Sequence, residues 1–193
     1  MTARLAILIS GRGSNMIALL DACAAPDYPA EAALILSNEP DAPGLAAAAA
    51  RGIPTAAIPH RGRPKAAFEA DLAEAIAGAS PDLICLAGFM RLLSADFVAA
   101  HEGRLINIHP SLLPAFKGLD THARALESGA ALHGCTVHRV TAGMDEGPIL
   151  AQAACPVLAE DDAETLAARV LALEHQLYPQ AVAALLGGAA PAR

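Results

Sequence analysis

The sequence contains no tryptophan, and aromatic side chains make up only 3% of its 193 residues. Proteins that bind single-stranded nucleic acids stack the bases on aromatic side chains, so this scarcity argues against that class. Positive charge is also scarce, because 13 Lys and Arg against 20 Asp and Glu give a formal net charge of −7. An acidic chain lacks the broad basic surface that nucleic acids require, which leaves room only for local positive sites.

Cysteine is limited to four scattered residues: Cys23, Cys85, Cys135 and Cys155. None forms the close pair typical of a zinc site or a redox motif, so we expect reduced, mostly buried thiols. Metal-ligand spacing is also missing among four of the histidines: His60, His101, His133 and His175. We therefore predict that the protein binds no metal.

Long hydrophobic runs are missing as well, although hydrophobic residues make up 54% of the chain. Alanine supplies much of that fraction. The apolar runs, such as residues 5–9 and 83–87, are far shorter than the roughly 20 residues that span a bilayer. Neither a transmembrane helix nor a signal-peptide core is predicted, and we expect a cytoplasmic protein.

Short β-like runs alternate with alanine-rich helical segments, which predicts a Rossmann-like α/β fold with a mostly parallel sheet and helices on both faces. The predicted strands are residues 5–9, 33–37, 55–58, 83–87, 105–109, 135–140 and 149–154. The predicted helices are a segment from about residue 16, then residues 44–51, 65–77, 121–127 and 163–186. Some antiparallel pairing is expected in the C-terminal half.

The length fits a single domain over residues 1–193. The last predicted helix contains Pro179, and we expect a break there. Gly187 and Gly188 predict a frayed tail from about residue 187.

A glycine turn separates the first predicted strand from the first predicted helix, and it reads Ser10-Gly11-Arg12-Gly13-Ser14-Asn15. Backbone N–H groups and the helix dipole converge on an anion at such a junction, so phosphate is the natural ligand. Met16 stands where a dinucleotide-binding fingerprint requires glycine, and no Walker pattern is present. A tight turn without a ligand would use the same glycines, so the motif alone leaves both interpretations open.

Two polar residues interrupt the apolar strand predicted over residues 105–109. Asn107 and His109 are two positions apart, so their side chains point to the same face. Burying an amide and an imidazole without partners would cost about 1–3 kcal/mol each. A catalytic site at the carboxyl end of the strand explains both, since Asn and protonated His can donate hydrogen bonds to an oxyanion. A core histidine bonded to the backbone is the alternative.

A carboxylate that orients or charges His109 is expected in the turn-forming stretch of residues 141–148. Asp145 is the candidate, although the sequence does not separate it from Glu146, and a surface turn would use the same residues. His138, in the preceding β-like run, has two interpretations, support of the site or simple packing, and packing is favoured. Asp120 precedes a predicted helix and is a candidate cap.

Four segments together resemble the folate-dependent formyltransferases, and among them those that act on glycinamide ribonucleotide. They are residues 9–15, residues 86–93, the run Asn107-Ile108-His109-Pro110-Ser111-Leu112-Leu113-Pro114 and the run Met144-Asp145-Glu146-Gly147-Pro148. The resemblance spans nearly the whole chain. It implies that a formyl group passes from 10-formyltetrahydrofolate, as co-substrate and without a metal, to the amine of glycinamide ribonucleotide in purine biosynthesis. We also expect a monomer or homodimer with no nucleic-acid or membrane partner.

With this resemblance, we expect a phosphate- and nucleotide-binding N-terminal half and a catalytic and folate-binding C-terminal half. The resemblance also assigns roles to individual residues. The implied catalytic residues are Asn107, His109 and Asp145. The implied ribonucleotide-binding residues are Arg12, Gly13, Ser14, Asn15 and Glu174. The implied folate-binding residues are Lys65, Met90, Arg91, Leu92, Leu93, Asn107, Thr141, Ala142, Gly143, Met144 and Asp145. Lys65 stands where the family can have an arginine, and it keeps the charge but loses the planar fork.

Other functions stay open at this point. A methionyl-tRNA formyltransferase should carry an additional nucleic-acid-binding domain, and a formyltetrahydrofolate hydrolase usually carries a regulatory domain. We expect neither here. A binding module for folate or a nucleotide, without catalysis, would need only the glycine turn and an apolar slot, and the combination of Asn107, His109 and Asp145 argues against it.

Overall fold

The computed structural model describes residues 2–187, which contain seven strands and six helices. The strands are β1 (Ala3–Ile9), β2 (Ala30–Ser37), β3 (Thr55–Ala57), β4 (Leu83–Leu86), β5 (Leu105–His109), β6 (Leu132–Arg139) and β7 (Ile149–Pro156). The helices are α1 (Ser14–Cys23), α2 (Pro43–Ala49), α3 (Lys65–Ala79), α4 (Ala95–Ala100), α5 (Thr121–Glu127) and α6 (Ala163–Gly187).

The strands form one sheet in the order β3-β2-β1-β4-β5-β6-β7. β1 pairs in parallel with β2 and β4, and β2 pairs in parallel with β3. β6 and β7 are antiparallel. The predicted mostly parallel α/β fold, with antiparallel pairing in the C-terminal half, is therefore confirmed.

The residues fall into two compact units, Met1–Ile106 and Asn107–Arg193. The first unit contains β1 to β4, and the second contains β6, β7, α5 and α6, with α6 packed on β6, β7 and α5. The single domain expected from the length stays a prediction. No helix within residues 2–187 is both long enough and apolar enough to cross a bilayer.

The core of the first unit lies around β1. Residues 5–9 of this strand are all fully buried, and all four residues of β4 are buried beside it. A strand covered on both faces has no polar side to expose, which explains the uninterrupted apolar runs in these two strands. The carboxyl end of β1 therefore leads from the core directly into the glycine turn.

Three details differ from the sequence-based expectations. Helix α4 was not predicted; it spans one and a half turns and begins after Ser94, whose hydroxyl accepts a hydrogen bond from the Phe97 N–H at 3.1 Å. α6 continues through Pro179 without the expected break. Buried side chains on both sides of the proline, among them Tyr178 and Val182, keep the helix packed and offset the lost backbone bond.

Asp120 is the third difference, because its side chain makes no capping hydrogen bond to α5. Its backbone is left-handed, with φ 55°, which is unlike the extended backbone of a usual cap. The expected frayed tail beyond Gly187 lies outside the described residues.

The four thiols are free, three of them buried and Cys23 half-buried. Burial raises the pKa of Cys23 to about 11 and that of Cys135 to about 12, so both are protonated at neutral pH.

Close packing between β6 and β7 yields the first prediction. A Cβ atom on Gly134 would lie 2.0 Å from the Ala153 carbonyl oxygen. Gly134→Ala should therefore force the two strands apart and lower the free energy of unfolding by about 1–3 kcal/mol. Gly78→Ala is the matched control, because nothing lies within 4 Å of its Cβ position in α3 and alanine should stabilise the helix slightly. Urea denaturation measures both, and equal stabilities would contradict the prediction.

Candidate active site

The second unit brings His109, at the end of β5, next to Asp145, in the loop between β6 and β7. The distance between His109 Nδ1 and Asp145 Oδ2 is 3.3 Å, and the two side chains are only 7% and 12% exposed. Glu146 instead pairs with Lys117 at 3.0 Å and is 58% exposed. Of the two carboxylates that the sequence left open, Asp145 is therefore the one beside the histidine.

The loop after β5 holds both members of this pair. The Phe116 carbonyl accepts a hydrogen bond from His109 Nε2 at 3.0 Å, and the Gly118 N–H donates to Asp145 Oδ2 at 2.9 Å. The backbone at Phe116 and at Asp145 is left-handed, with φ 53° at each. This conformation costs about 1–2 kcal/mol for a residue other than glycine. The strained backbone thus directs hydrogen-bonding groups at the pair.

Asn107 lies in β5 two residues before His109, as the strand period requires. Its Nδ2 is 3.2 Å from Nε2 of His138, which lies in β6. His138 Nε2 is also 3.6 Å from Asp145 Oδ1. Asn107, His109, Asp145 and His138 therefore form one polar cluster, in which the two histidines are buried and Asn107 and Asp145 are partly exposed. The sequence had favoured simple packing for His138.

Side chains of β6 and β7 hold the segment between His109 and Phe116 in place through hydrogen bonds. The Thr136 hydroxyl donates to the Ser111 carbonyl at 2.6 Å and accepts from the Leu113 N–H at 3.0 Å. Gln152 Nε2 donates to the Leu113 carbonyl at 2.9 Å. These bonds satisfy backbone groups that would otherwise be buried without partners, and they hold the loop against the sheet.

Two further histidines, His133 and His122, lie next to Phe116. Its ring makes an edge contact with the His133 ring, with 5.8 Å between the centroids, and His133 Nε2 is 3.2 Å from His122 Nδ1. His133 is fully buried. Burial, aided by the charge of neighbouring His122, lowers the pKa of His133 to about 4, so its imidazole is neutral at physiological pH.

The other residues of the second unit that are predicted to bind folate belong to the same surface loop as Asp145. Thr141 and Ala142 are exposed, Gly143 is half-buried and Met144 is 50% exposed. The loop passes close to the end of β6 at Gly147, where a Cβ would lie 1.7 Å from the Arg139 carbonyl oxygen, so this position requires glycine. Glu174, predicted to bind the ribonucleotide, is 6% exposed in α6.

The glycine turn of the first unit places a left-handed glycine at the start of α1. Gly13 has φ 69° and stands as the N-cap of this helix, so the cap residue itself has no side chain to donate or accept a hydrogen bond. Gly44 donates its N–H to the Gly11 carbonyl at 3.1 Å. A Cβ on Gly44 would lie 2.4 Å from Ile9 Cδ1 and 2.9 Å from that carbonyl oxygen, so this close approach requires glycine. Ser14 begins the helix, Asn15 is buried and Arg12 is exposed.

The predicted folate residues of the first unit follow β4 and begin α3. The Met90 N–H donates to the Ser10 hydroxyl at 2.7 Å, which ties the segment after β4 to the glycine turn. Three residues of this segment are exposed and the fourth, Leu93, is half-buried; the exposed ones are Met90, Arg91 and Leu92. Lys65 lies 3.8 Å from the Glu69 carboxylate, one helical turn further along α3. Among residues 2–187, no group of three His, Cys, Asp or Glu side chains is arranged to hold a metal ion.

Comparison with known proteins gives concordant matches. The sequence profile described as formyl transferase matches residues 3–182. A crystal structure of phosphoribosylglycinamide formyltransferase from Brucella melitensis is 54% identical, with a TM-score of 0.91, over 100% of this chain and 98% of that one. The phosphoribosylglycinamide formyltransferase of Escherichia coli K12 is 45% identical over 174 residues, which are 90% of this chain and 82% of that protein.

Longer relatives also match. The trifunctional purine biosynthetic protein adenosine-3 of Drosophila melanogaster is 47% identical over 190 residues, which are 97% of this chain. The chain spans only 14% of that protein's length.

The low pKa of His133 yields a prediction about stability and pH. Between pH 6.5 and about 4 the unfolded chain protonates this imidazole and the folded protein does not, so stability falls as the pH drops through this range. His133→Gln should reduce the loss of stability between pH 7 and pH 5, measured by urea denaturation. Gly78→Ala, in the first unit, should keep the wild-type loss. An unchanged pH dependence in His133→Gln would contradict the assignment.

Proposed function

Because the chain belongs to the formyl transferase family, we propose that it transfers the formyl group of 10-formyltetrahydrofolate to the amine of glycinamide ribonucleotide. The products are formylglycinamide ribonucleotide and tetrahydrofolate, a step of purine biosynthesis in the cytoplasm. The observation that carries this proposal is the polar cluster of Asn107, His109 and Asp145 in a chain whose sequence matches this family over residues 3–182.

The reaction that we propose is a direct transfer. The substrate amine attacks the formyl carbon, a new C–N bond forms, and the formyl oxygen becomes an oxyanion. Collapse of this tetrahedral intermediate breaks the bond to N10 of the folate, and the proton lost by the amine ends on that nitrogen. No covalent bond to the protein is needed, so the side chains only have to stabilise charge and move a proton.

Asn107 and protonated His109 are the proposed donors to the oxyanion. Each ring nitrogen of His109 faces an acceptor, Asp145 Oδ2 on the Nδ1 side and the Phe116 carbonyl on the Nε2 side. The Nδ1 contact is the longer, at 3.3 Å against 3.0 Å, so we propose that the Nδ1–H bond turns from Asp145 to the oxyanion during the reaction. Asp145 then stays beside the imidazolium as an opposite charge and helps the proton leave the attacking amine.

The remaining residues are assigned to the two substrates. Gly13, Ser14 and Asn15 are proposed to surround the phosphate at the start of α1, with Arg12 adding charge and Glu174 accepting hydrogen bonds from the ribose. Apolar Met90, Leu92, Leu93 and Met144 are proposed to contact the pterin ring, and the backbone of residues 141–145 its polar edge. The charged side chains of Lys65 and Arg91 are assigned to the carboxylates of the folate.

The first test is an absorbance assay of tetrahydrofolate formation, run with and without glycinamide ribonucleotide. Formation that depends on the ribonucleotide supports transfer. Equal formation without it would show a hydrolase that uses water, and no consumption of 10-formyltetrahydrofolate under either condition would leave only a binding module.

The catalytic assignment predicts the effect of removing either buried charge. His109→Ala and Asp145→Asn should each lower kcat by about 10²-fold or more, because the oxyanion loses its charged donor or that donor loses its carboxylate. Asp27→Asn, at an exposed carboxylate in the first unit, is the control and should keep wild-type kcat. Circular dichroism should show all three variants folded. Near-normal turnover in His109→Ala or Asp145→Asn would overturn the roles given.

The phosphate assignment predicts a selective change in KM. Gly13→Ala and Gly52→Ala both place a Cβ on left-handed backbone, with φ 69° and 74°, and each should cost about 1 kcal/mol of stability. Only Gly13→Ala should raise the KM for glycinamide ribonucleotide, about tenfold, with the KM for the folate little changed. Steady-state kinetics with each substrate varied in turn measures this. Equal KM values for the ribonucleotide in the two variants would contradict the assignment.

A further inference from the structure

His138 is a buried histidine that the proposed reaction leaves without a role, although it touches two of the three proposed catalytic residues. Its side chain is 3% exposed. Its Nδ1 is 2.9 Å from the Arg139 carbonyl oxygen, and its Nε2 is 3.2 Å from Asn107 Nδ2. Asp145 Oδ1 lies 3.6 Å from the same Nε2, beyond hydrogen-bond distance.

These distances define the state of the His138 ring. A carbonyl oxygen only accepts hydrogen bonds, so Nδ1 carries a proton and donates it to Arg139. In a neutral ring Nε2 is then an acceptor, and the group facing it must be a donor. Burial lowers the pKa of His138 and thereby favours this neutral ring, and the charge of His109 acts in the same direction. The hydrogen bond to the Arg139 carbonyl and the charge of Asp145 oppose this effect.

We infer that His138 is a positioning residue that fixes the orientation of the Asn107 amide, an inference that rests on the proposed function. The two ends of an amide have nearly the same shape, so packing alone does not choose between them. The acceptor at His138 Nε2 selects the orientation in which the Asn107 NH₂ group faces the cluster. One of its N–H bonds is held by His138, and the other stays available to the oxyanion.

The opposite orientation would be harmful to the reaction. It would point the Asn107 carbonyl oxygen towards the developing negative charge and replace attraction with repulsion. A neutral His138 also does not compete with His109 for the Asp145 carboxylate. A ring protonated at Nε2 would instead attract Asp145 Oδ1 and repel the Asn107 NH₂ group.

The kinetic test compares two replacements of His138. His138→Leu keeps most of the volume but has no acceptor, and it should lower kcat about ten- to a hundredfold while both KM values stay within about threefold. His138→Gln offers an oxygen near the position of Nε2 and should recover part of this loss. His101→Leu, which removes a buried histidine of the first unit, is the control and should keep wild-type kcat. Wild-type kcat in His138→Leu would overturn the inference.

A double-mutant cycle separates positioning from general packing. In the Asn107→Ala background the amide is gone, so adding His138→Leu should lower kcat by less than about twofold further. A purely structural His138 would give the same loss in both backgrounds, and that result would overturn the inference.

The ring state itself is measured without any substrate. In the wild-type protein, ¹⁵N NMR should show His138 with its proton on Nδ1 and an unprotonated Nε2 whose resonance shifts in Asn107→Ala. A proton on Nε2, or no response to Asn107→Ala, would overturn the inference even if the variants at position 138 fail to fold. If the wild-type protein does not consume 10-formyltetrahydrofolate, the proposed function fails, and the NMR result still decides the orientation of the amide.

Discussion

The burial of an imidazole beside a carboxylate is the constraint on which the second unit depends. Removing either charge from water costs several kcal/mol unless hydrogen bonds and an opposite charge compensate it. The compensation comes from the backbone of one loop, through the Phe116 carbonyl and the Gly118 N–H. That loop is in turn held by Thr136 and by the left-handed backbone at Phe116. The strain is thus found where the chain supports the pair, which is a common location for it in proteins with a catalytic site.

In the proposed function, the first unit has a different task, which is to present backbone N–H groups to a phosphate. Its central strand β1 is buried on both faces and ends at the glycine turn, so the turn starts from a rigid base. Gly13 supplies the left-handed backbone, and Gly44 lets a second helix approach the Gly11 carbonyl. The hydrogen bond from Met90 to Ser10 then connects this turn to the exposed apolar segment after β4. The glycine turn and the segment after β4, which are both proposed to bind ligands, are therefore held by the same buried strand, β1.

Much of the fold follows from local pattern. The buried runs in β1 and β4 are continuous because parallel strands lie between covered faces, and such runs are recognisable without tertiary information. Short elements, and elements whose stability depends on tertiary packing, cannot be recognised in this way. Helix α4 has only six residues and depends on the Ser94 cap, so its sequence carries little periodic signal. The continuity of α6 through Pro179 depends on packing by residues such as Tyr178 and Val182, which the proline rule does not include.

The sequence by itself determined that Asn107 and His109 share one face of a strand, because the side-chain period of a strand is fixed by its covalent geometry. It likewise determined that a glycine turn joins β1 to α1. Only the tertiary structure decided which carboxylate lies beside His109, since Asp145 and Glu146 are neighbours in a loop whose path depends on contacts with residues 116–118. It also decided the place of His138, because the distance between β5 and β6 is set by strand pairing and leaves no trace in the local pattern of either strand.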